Sequence, residues 1–271
     1  MIKNIQDNLT MSQPSIEGFI QLITLYRPNF PGEIQGASSA QVDAFAELVY
    51  QVSALTLPSD YRDFLFKMGI AAPGFIADTS QPGWGERVPW SAFVKDASPN
   101  LESLHEYYSY LLEDGESPPP QCLVVGVFGV HCEEVFLECQ RGIAGRVFSE
   151  KSNSRAIWAD SWIGHLYKQG FRYIISKHME IKAQNAITRE AASQLANLAI
   201  AYGLEVQWFS DALDFCAASS DWEVLFYISD YTISLFFYLA GKKQSWSWIS
   251  GDRTNSKAAD FLQFLKRSSM N

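Results

Sequence analysis

One segment, residues 57–69 (LPSDYRDFLFKMG), constrains the fold of this chain more than any other. Pro58 suits the first position of a helix, where its missing N–H would have had no partner anyway, and Gly69 suits the left-handed residue that ends a helix. Between them, apolar side chains recur at the spacing of one helix face: Tyr61, Phe64, Leu65 and Met68. The pattern predicts a short helix that docks this face on a core.

Other helices of the first two thirds are predicted by the same apolar spacing, at residues 16–26, 39–52 and 101–112, with Ser39 as the cap of the second. The Gly- and Pro-rich residues 71–89 predict an irregular loop, whose Trp84 either contacts a partner or folds back onto the core. Residues 113–120 hold three carboxylates and three prolines, and predict a stiff acidic connector.

Strands are predicted after this connector. Residues 122–128 are almost continuously apolar, which is typical of a central strand, and residues 134–139 and 145–149 add two more strands joined by a hairpin connection at 140–144. Trp158, Trp162 and Leu166 recur every four residues, so a helix is predicted at 157–169. An extended segment is expected at 171–175.

From about residue 182 a new pattern begins. A helix is predicted at 188–202 with Gly203 as its stop, followed by a strand at 205–209, a turn of helix around Ala212 and strands at 222–228, 232–239 and 245–249. A last helix is predicted at 256–267. The chain is therefore divided into a helical extension (1–37), a central domain (38–180) and a smaller α+β domain of open role (181–271).

The order of elements in the central domain resembles the SUKH superfamily, whose signature is a Leu-Pro followed by an aromatic-rich helix that ends near a glycine. The segments VFLE (135–138), GRVF (145–148) and SWI (161–163) resemble the family's paired strands and closing helix. The chain departs from the family at Met68, where Asn is usual, and at 101–120, which look like an insertion. The resemblance implies an α+β fold, a mixed sheet packed against helices, in a domain that binds proteins. Many bacterial members are immunity proteins that neutralise a delivered toxin, and some eukaryotic relatives are signalling scaffolds.

The net charge of the chain indicates which kind of partner it binds. The formal net charge is −9, and residues 1–180 hold 13 Lys and Arg against 21 Asp and Glu, whereas the remainder holds 8 against 9. Binding of nucleic acid relies on clustered Lys and Arg, so we expect no nucleic-acid partner, and a protein with a basic surface fits better. Alternatively, the acidic residues serve only to keep the protein soluble.

Candidate partner contacts are the acidic residues predicted to lie on irregular chain, together with the loop tryptophan: Asp78, Trp84, Glu86, Glu113, Asp114, Glu116, Glu133 and Glu134. Their carboxylates could neutralise the Arg and Lys with which a nuclease toxin holds phosphates, and long-range attraction would speed capture. Each residue taken singly is also explained as part of a solvated surface.

The sequence holds little that predicts catalysis. His131-Cys132-Glu133 matches the His-x-Glu half of a zinc deaminase, but the Pro-Cys-x-x-Cys half is absent. Phosphate-binding loops and nucleophile elbows are absent as well. We therefore expect no enzyme, no metal and no cofactor, and we interpret the cysteines as buried thiols: Cys122, Cys132, Cys139 and Cys216.

No stretch reaches the roughly twenty apolar residues of a spanning helix, and residues 1–15 lack the features of a secretory signal. A cytoplasmic protein without a membrane role is expected. Three functions stay open: an immunity protein that covers the active site of one toxin, a regulatory scaffold with several partners, and an enzyme whose site lies in the second domain.

Overall fold

The computed structural model describes residues 14–75, 100–128, 133–140, 142–151, 154–178, 180–186, 189–211, 214–220, 224–229 and 232–237. The chain divides into two compact units, Met1–Gly170 and Phe171–Asn271. Helices and antiparallel sheets occur in both units, which confirms the α+β class. The division falls inside a helix, ten residues before the boundary predicted after residue 180, and it assigns the predicted extension to the first unit.

The described residues of unit 1 form five helices before the sheet: α1 (Ile16–Tyr26), α2 (Phe30–Glu33), α3 (Ser39–Ser53), α4 (Ser59–Met68) and α5 (Leu101–Asp114). Helix α3 begins with a capping box, in which the Ser38 side chain accepts from the Gln41 N–H at 3.3 Å and Gln41 Oε1 accepts from the Ser38 N–H at 3.0 Å. Ser38 is therefore the cap, and the prediction of Ser39 is wrong. Gln at the third helical position selects Ser38, because only this spacing lets both bonds form.

The signature helix forms as predicted, but both of its ends differ. Pro58 precedes the first helical residue, and Gly69 has φ −64°, an ordinary right-handed value. Position 69 requires glycine for steric reasons, because a Cβ on Gly69 would lie 2.5 Å from the Leu65 carbonyl oxygen. The steric requirement for glycine is stronger at position 36, since a Cβ on Gly36 would lie 1.6 Å from the carbonyl oxygen of Phe66.

Helix α3 ends at Ala54, which has φ 57° and ψ 23° in the left-handed region. An L side chain costs roughly 1 kcal/mol there, while glycine adopts this conformation freely. We expect Ala54→Gly to stabilise unit 1 by about 0.5 kcal/mol, because relief of the strain exceeds the added entropy of the unfolded chain. Urea denaturation followed by circular dichroism measures the change. Ala44→Gly, at an exposed position inside α3, is the matched control and should destabilise by about 1 kcal/mol.

The sheet of unit 1 has the strand order β1-β2-β3-β4, and all of its pairings are antiparallel, whereas the family pattern implied a mixed sheet. Its strands are β1 (Cys122–Phe128), β2 (Glu133–Gln140), β3 (Ile143–Lys151) and β4 (Ser154–Ala159). Among the described strands β1 lies at the edge of this sheet, so the prediction of a central strand is wrong. Leu123, Val124 and Val125 are nevertheless at most 2% exposed, and both α3 and the Tyr108 hydroxyl of α5 contact this strand.

Helix α6 (Trp162–His178) begins five residues later than predicted. Trp158 belongs to β4, where its indole N–H donates to Ser149 Oγ at 3.2 Å. The four-residue spacing of the tryptophans fits a helix locally, but pairing with β3 holds this segment extended. Residues 171–175, predicted to be extended, continue α6.

Helix α1 belongs to the core of unit 1. Phe19 is fully buried and packs edge-on against Phe75, with the ring centroids 5.1 Å apart. Gly170 lies so close to the same ring that a Cβ there would be 2.7 Å from Phe19 Cε2. Beside them, Trp162 packs edge-on against Tyr61 and Phe64 of α4, at 4.8 and 5.0 Å. The signature helix therefore contributes the centre of the core.

Unit 2 has a five-stranded antiparallel sheet in the order β5-β9-β8-β7-β6. Its elements are β5 (Glu180–Ala186), α7 (Arg189–Tyr202), β6 (Glu205–Val206), β7 (Asp214–Ala218), β8 (Val224–Ser229) and β9 (Thr232–Phe237). The helix and its stop at Gly203, which has φ 102°, are confirmed, whereas β5 and β7 were not predicted. The predictions for Ala212, 245–249 and 256–267 lie outside the described residues.

Candidate functional site

Helix α5 presents a continuous acidic side to solvent. The Asn100 side chain caps its start by accepting from the Ser103 N–H at 2.8 Å, and Gly115, with φ 69°, follows its end. Its apolar stripe is buried: Leu101, Leu104, Tyr108 and Leu111. The acidic face of α5 is defined as the exposed carboxylates on the other side and at the C-terminal end, together with Tyr110; His105 and Leu112 are also exposed on this helix. Its members are Glu102, Glu106, Tyr110, Glu113, Asp114 and Glu116.

The spacing of this face follows from helix geometry. Glu102, Glu106, Tyr110 and Glu113 stand at i, i+4, i+8 and i+11, so they form one stripe about 16 Å long. Tyr110 is 54% exposed, and it donates a hydrogen bond to the Asp114 carboxylate, which raises the pKa of the phenol. Residues 101–120 contain no Lys or Arg. The stripe is therefore a rigid anionic surface with an aromatic ring at its centre.

The C-terminal end of α5 is an unfavourable place for negative charge. The helix dipole places partial negative charge at this end, where cations stabilise and anions destabilise. Glu113 and Asp114 occupy the last turn, which has no basic residue, and Glu116 follows directly. The charges therefore oppose the helix dipole and repel one another, and the hydrogen bond that Asp114 accepts from Tyr110 offsets part of this cost.

Removal of the negative charges at the C-terminal end of α5 tests whether they destabilise the helix. We expect Glu113→Gln/Asp114→Asn to raise the melting temperature of unit 1 by about 1–2 °C, because two charges that oppose the dipole are removed. Thermal unfolding at low ionic strength measures the shift, and added salt should shrink it. The control Glu102→Gln removes a carboxylate that favours the positive end of the same helix, so it should lower the melting temperature. A fall with the double variant would contradict this account.

The other predicted contacts are placed differently. Glu133 and Glu134 open strand β2 instead of lying on irregular chain, and Glu134 Oε1 accepts a hydrogen bond from the Tyr107 hydroxyl of α5. Pairing with β1 extends these residues, so the strand predicted from residue 134 is confirmed and begins one residue earlier, at Glu133. Glu134 therefore ties the helix to the sheet. The predicted contacts Asp78, Trp84 and Glu86 lie outside the described residues, as do His131 and Cys132.

Three members of the acidic face were missed by sequence reasoning: Glu102, Glu106 and Tyr110. Acidic residues were expected to bind a partner where the chain is irregular, and Glu113 and Asp114 were predicted to lie on a connector, although both lie in the last turn of α5. The available signal was the four-residue spacing of carboxylates in a segment without Lys or Arg. Such a helix has no i, i+4 ion pairs of its own.

An ion network on the sheet of unit 1 is an alternative site, but its charges are already matched. Glu138 accepts two hydrogen bonds from Arg146, at 2.9 and 3.1 Å, and one from Arg155 at 3.1 Å. Arg155 also bonds to Glu150 at 2.7 Å and stacks over the Phe148 ring at 4.0 Å. The network joins β2, β3 and β4, so it acts as a tie between strands.

The three described cysteines are buried, as predicted, and Cys122 and Cys139 are poor nucleophiles. Burial raises the pKa of Cys139 to about 12, and it also raises the pKa of Cys122. A thiol reacts as the thiolate, and little thiolate exists near neutral pH at such values. Within the described ranges, no three His, Cys, Asp or Glu side chains lie together as metal ligands would.

The described part of unit 2 contains a buried polar network. Asp214 is 2% exposed and accepts from Arg172 Nη2 on both carboxylate oxygens, at 3.0 and 3.1 Å. The Tyr227 hydroxyl donates to the same carboxylate at 2.7 Å and accepts from Arg172 Nε.

No helix in the described part of the chain is long and apolar enough to cross a membrane. No protein-family model, curated protein or solved structure matches this chain.

Proposed function

We propose that this chain is a cytoplasmic immunity protein, which binds a bacterial toxin with a basic surface and covers its active site. The observation that carries the proposal is the acidic face of α5, where exposed carboxylates and the exposed phenol of Tyr110 stand on a rigid helix in a segment, residues 101–120, that contains no Lys or Arg. The SUKH-like order of elements, with Leu57, Pro58 and Gly69 at its signature, supports the same class.

The placement of charge favours binding over a role in solubility alone. Charges that only maintain solubility can stand anywhere on the surface, whereas Glu113 and Asp114 stand where they oppose the helix dipole. A partner that supplies Lys or Arg would turn this repulsion into attraction. Tyr110 adds the kind of exposed aromatic contact that often anchors interfaces.

The proposed mechanism is occlusion. A toxin that cleaves nucleic acid needs Lys and Arg to hold phosphates, and carboxylates about 6 Å apart along a helix can engage such side chains in succession. Opposite charge on the two proteins would also speed their encounter. The inhibitor itself needs no chemistry for this task, which agrees with the raised thiol pKa values of Cys122 and Cys139.

Expression of the toxin encoded beside this gene, with and without this chain, tests the proposal. Restored growth together with a one-to-one complex of roughly nanomolar affinity supports it. Roughly micromolar binding to several unrelated proteins, without protection, would favour the scaffold function instead. Absence of protection from a toxin that is shown to be active would contradict the immunity function.

A further inference from the structure

Tyr110 and Asp114 form a hydrogen-bonded pair on the acidic face of α5. They stand four residues apart, so their side chains lie on the same side of the helix. The Tyr110 hydroxyl donates to the Asp114 carboxylate, and both residues are exposed. Residues 101–120 contain no Lys or Arg, and no ion pair of the described residues involves Asp114. The pair therefore presents a ring and a carboxylate to solvent, without a cation from the described part of the chain.

The same pair of side chains occurs inside unit 2, where it holds an arginine. The Tyr227 hydroxyl donates to the Asp214 carboxylate at 2.7 Å. The Arg172 guanidinium bonds to both oxygens of this carboxylate and donates through Nε to the phenol oxygen. Its central carbon lies 5.5 Å from the centroid of the Tyr227 ring. In this protein, a tyrosine that donates to an aspartate therefore forms one side of an arginine site.

Other arginines of the described chain make the same two kinds of contact, with an aromatic ring and with a carboxylate. These are Arg27 with Phe30 and Glu33, Arg62 with Phe66 and Asp43, and Arg155 with Phe148 and Glu150. A guanidinium suits both contacts, because its flat face stacks on a ring while the N–H groups at its edge donate to carboxylate oxygens. The ammonium of lysine is a strongly hydrated point charge, so it gains less from such a pair.

We propose that the Tyr110–Asp114 pair receives an arginine side chain of the partner protein. The guanidinium lies over the exposed phenol ring and donates to the Asp114 carboxylate, which the tyrosine hydroxyl holds in place. Glu106 and Glu113 stand one turn away on either side and attract any cation, whereas the ring selects arginine over lysine. The inference rests on the proposed function and adds to it, because a basic surface alone does not distinguish these two side chains.

Two peptides of equal length and charge test this selection without the toxin. Both alternate glycine with a basic residue, which is arginine in one peptide and lysine in the other. NMR titration of the isotope-labelled full chain at low ionic strength measures both affinities. We expect the arginine peptide to bind about fivefold more tightly, because only its side chain stacks well on the ring. Nuclear Overhauser effects between the Tyr110 ring protons and the arginine methylene protons should identify the contact.

A pair of tyrosine variants assigns the preference to one ring. Tyr110→Leu should bring the two peptide affinities to within about twofold of each other. Tyr50→Leu is the matched control, because Tyr50 and Tyr110 are both 54% exposed but Tyr50 lies on α3. This control should keep the full preference for arginine. The inference is wrong if the unaltered chain binds both peptides equally, if the preference survives Tyr110→Leu, or if Tyr50→Leu abolishes it as well.

The growth assay with the toxin separates this inference from the proposed function. Protection by the unaltered chain together with equal peptide affinities would support the immunity function and exclude the arginine site. A preference for arginine that depends on Tyr110, without protection from an active toxin, would support the arginine site and contradict the immunity function.

Discussion

Simultaneous replacement of Glu102, Glu106 and Glu113 by Lys is expected to weaken binding of the proposed toxin by at least about 100-fold. The three carboxylates occupy one exposed stripe of α5, so reversal places three cations opposite the basic surface of the partner. Much of the loss should lie in the association rate, because attraction at a distance becomes repulsion. Surface plasmon resonance at several salt concentrations measures both the affinity and its dependence on screening.

The control must change the net charge equally without touching this stripe. Glu47, Asp63 and Glu205 are exposed on other elements, and their combined replacement by Lys gives the same change in total charge. We expect this control to keep the affinity within about threefold, because none of its three residues belongs to the acidic face of α5 and salt screens charges that do not meet the partner directly. Equal losses for the two triple variants would mean that net charge, and not the acidic face of α5, governs binding.

The buried carboxylate of Asp214 is expected to give the largest stability effect in unit 2. Asp214→Ala removes the acceptor of both hydrogen bonds from Arg172 and of the bond from Tyr227. The Arg172 side chain is 34% exposed, so water can solvate part of the orphaned charge, and we expect a loss of about 3 kcal/mol, at the low end for broken buried pairs. Amide hydrogen exchange at Cys216 and Tyr227 reports the opening of β7 and β8 separately from unit 1.

An exposed ion pair in the same protein serves as the comparison. Arg155 bonds to Glu150 through two nitrogens, at 3.0 and 2.7 Å, but both side chains are more than 40% exposed. Glu150→Gln should therefore cost well under about 1 kcal/mol. A loss for Asp214→Ala no larger than that of Glu150→Gln would show that the network of unit 2 is solvated and contributes little.

Helices were predicted well where their signal is local. The apolar spacing of α1, α3 and α7 placed each of them to within one residue at either end, because one face of each helix meets a core and the period of 3.6 is visible in the sequence. The same reasoning failed at Trp158, whose four-residue spacing continues into α6 although the residue lies on β4. The hydrogen bonds between β4 and β3 outweighed the local four-residue spacing of apolar residues.

For the acidic residues too, the sequence predicted exposure from residue type, but it did not predict contacts with distant parts of the chain. Glu113, Asp114 and Glu116 were named from the sequence as acidic and exposed, and the structure places them together at the end of α5. Glu134 was named on the same grounds, yet it bonds to Tyr107 because β2 passes beside the helix. Composition identified the charges, but not which of them have an internal partner.

The sequence by itself determined the α+β class, the amphipathic helices and the acidity of the first unit, because these depend on residue type and on short-range spacing. Only the tertiary structure decided that the Val124 N–H of β1 donates to the Tyr108 hydroxyl of α5, and that Gly69 is required by the approach of Leu65 instead of by a left-handed turn. The physical reason is that such features are set by contacts between elements, whose geometry does not exist until the chain has folded.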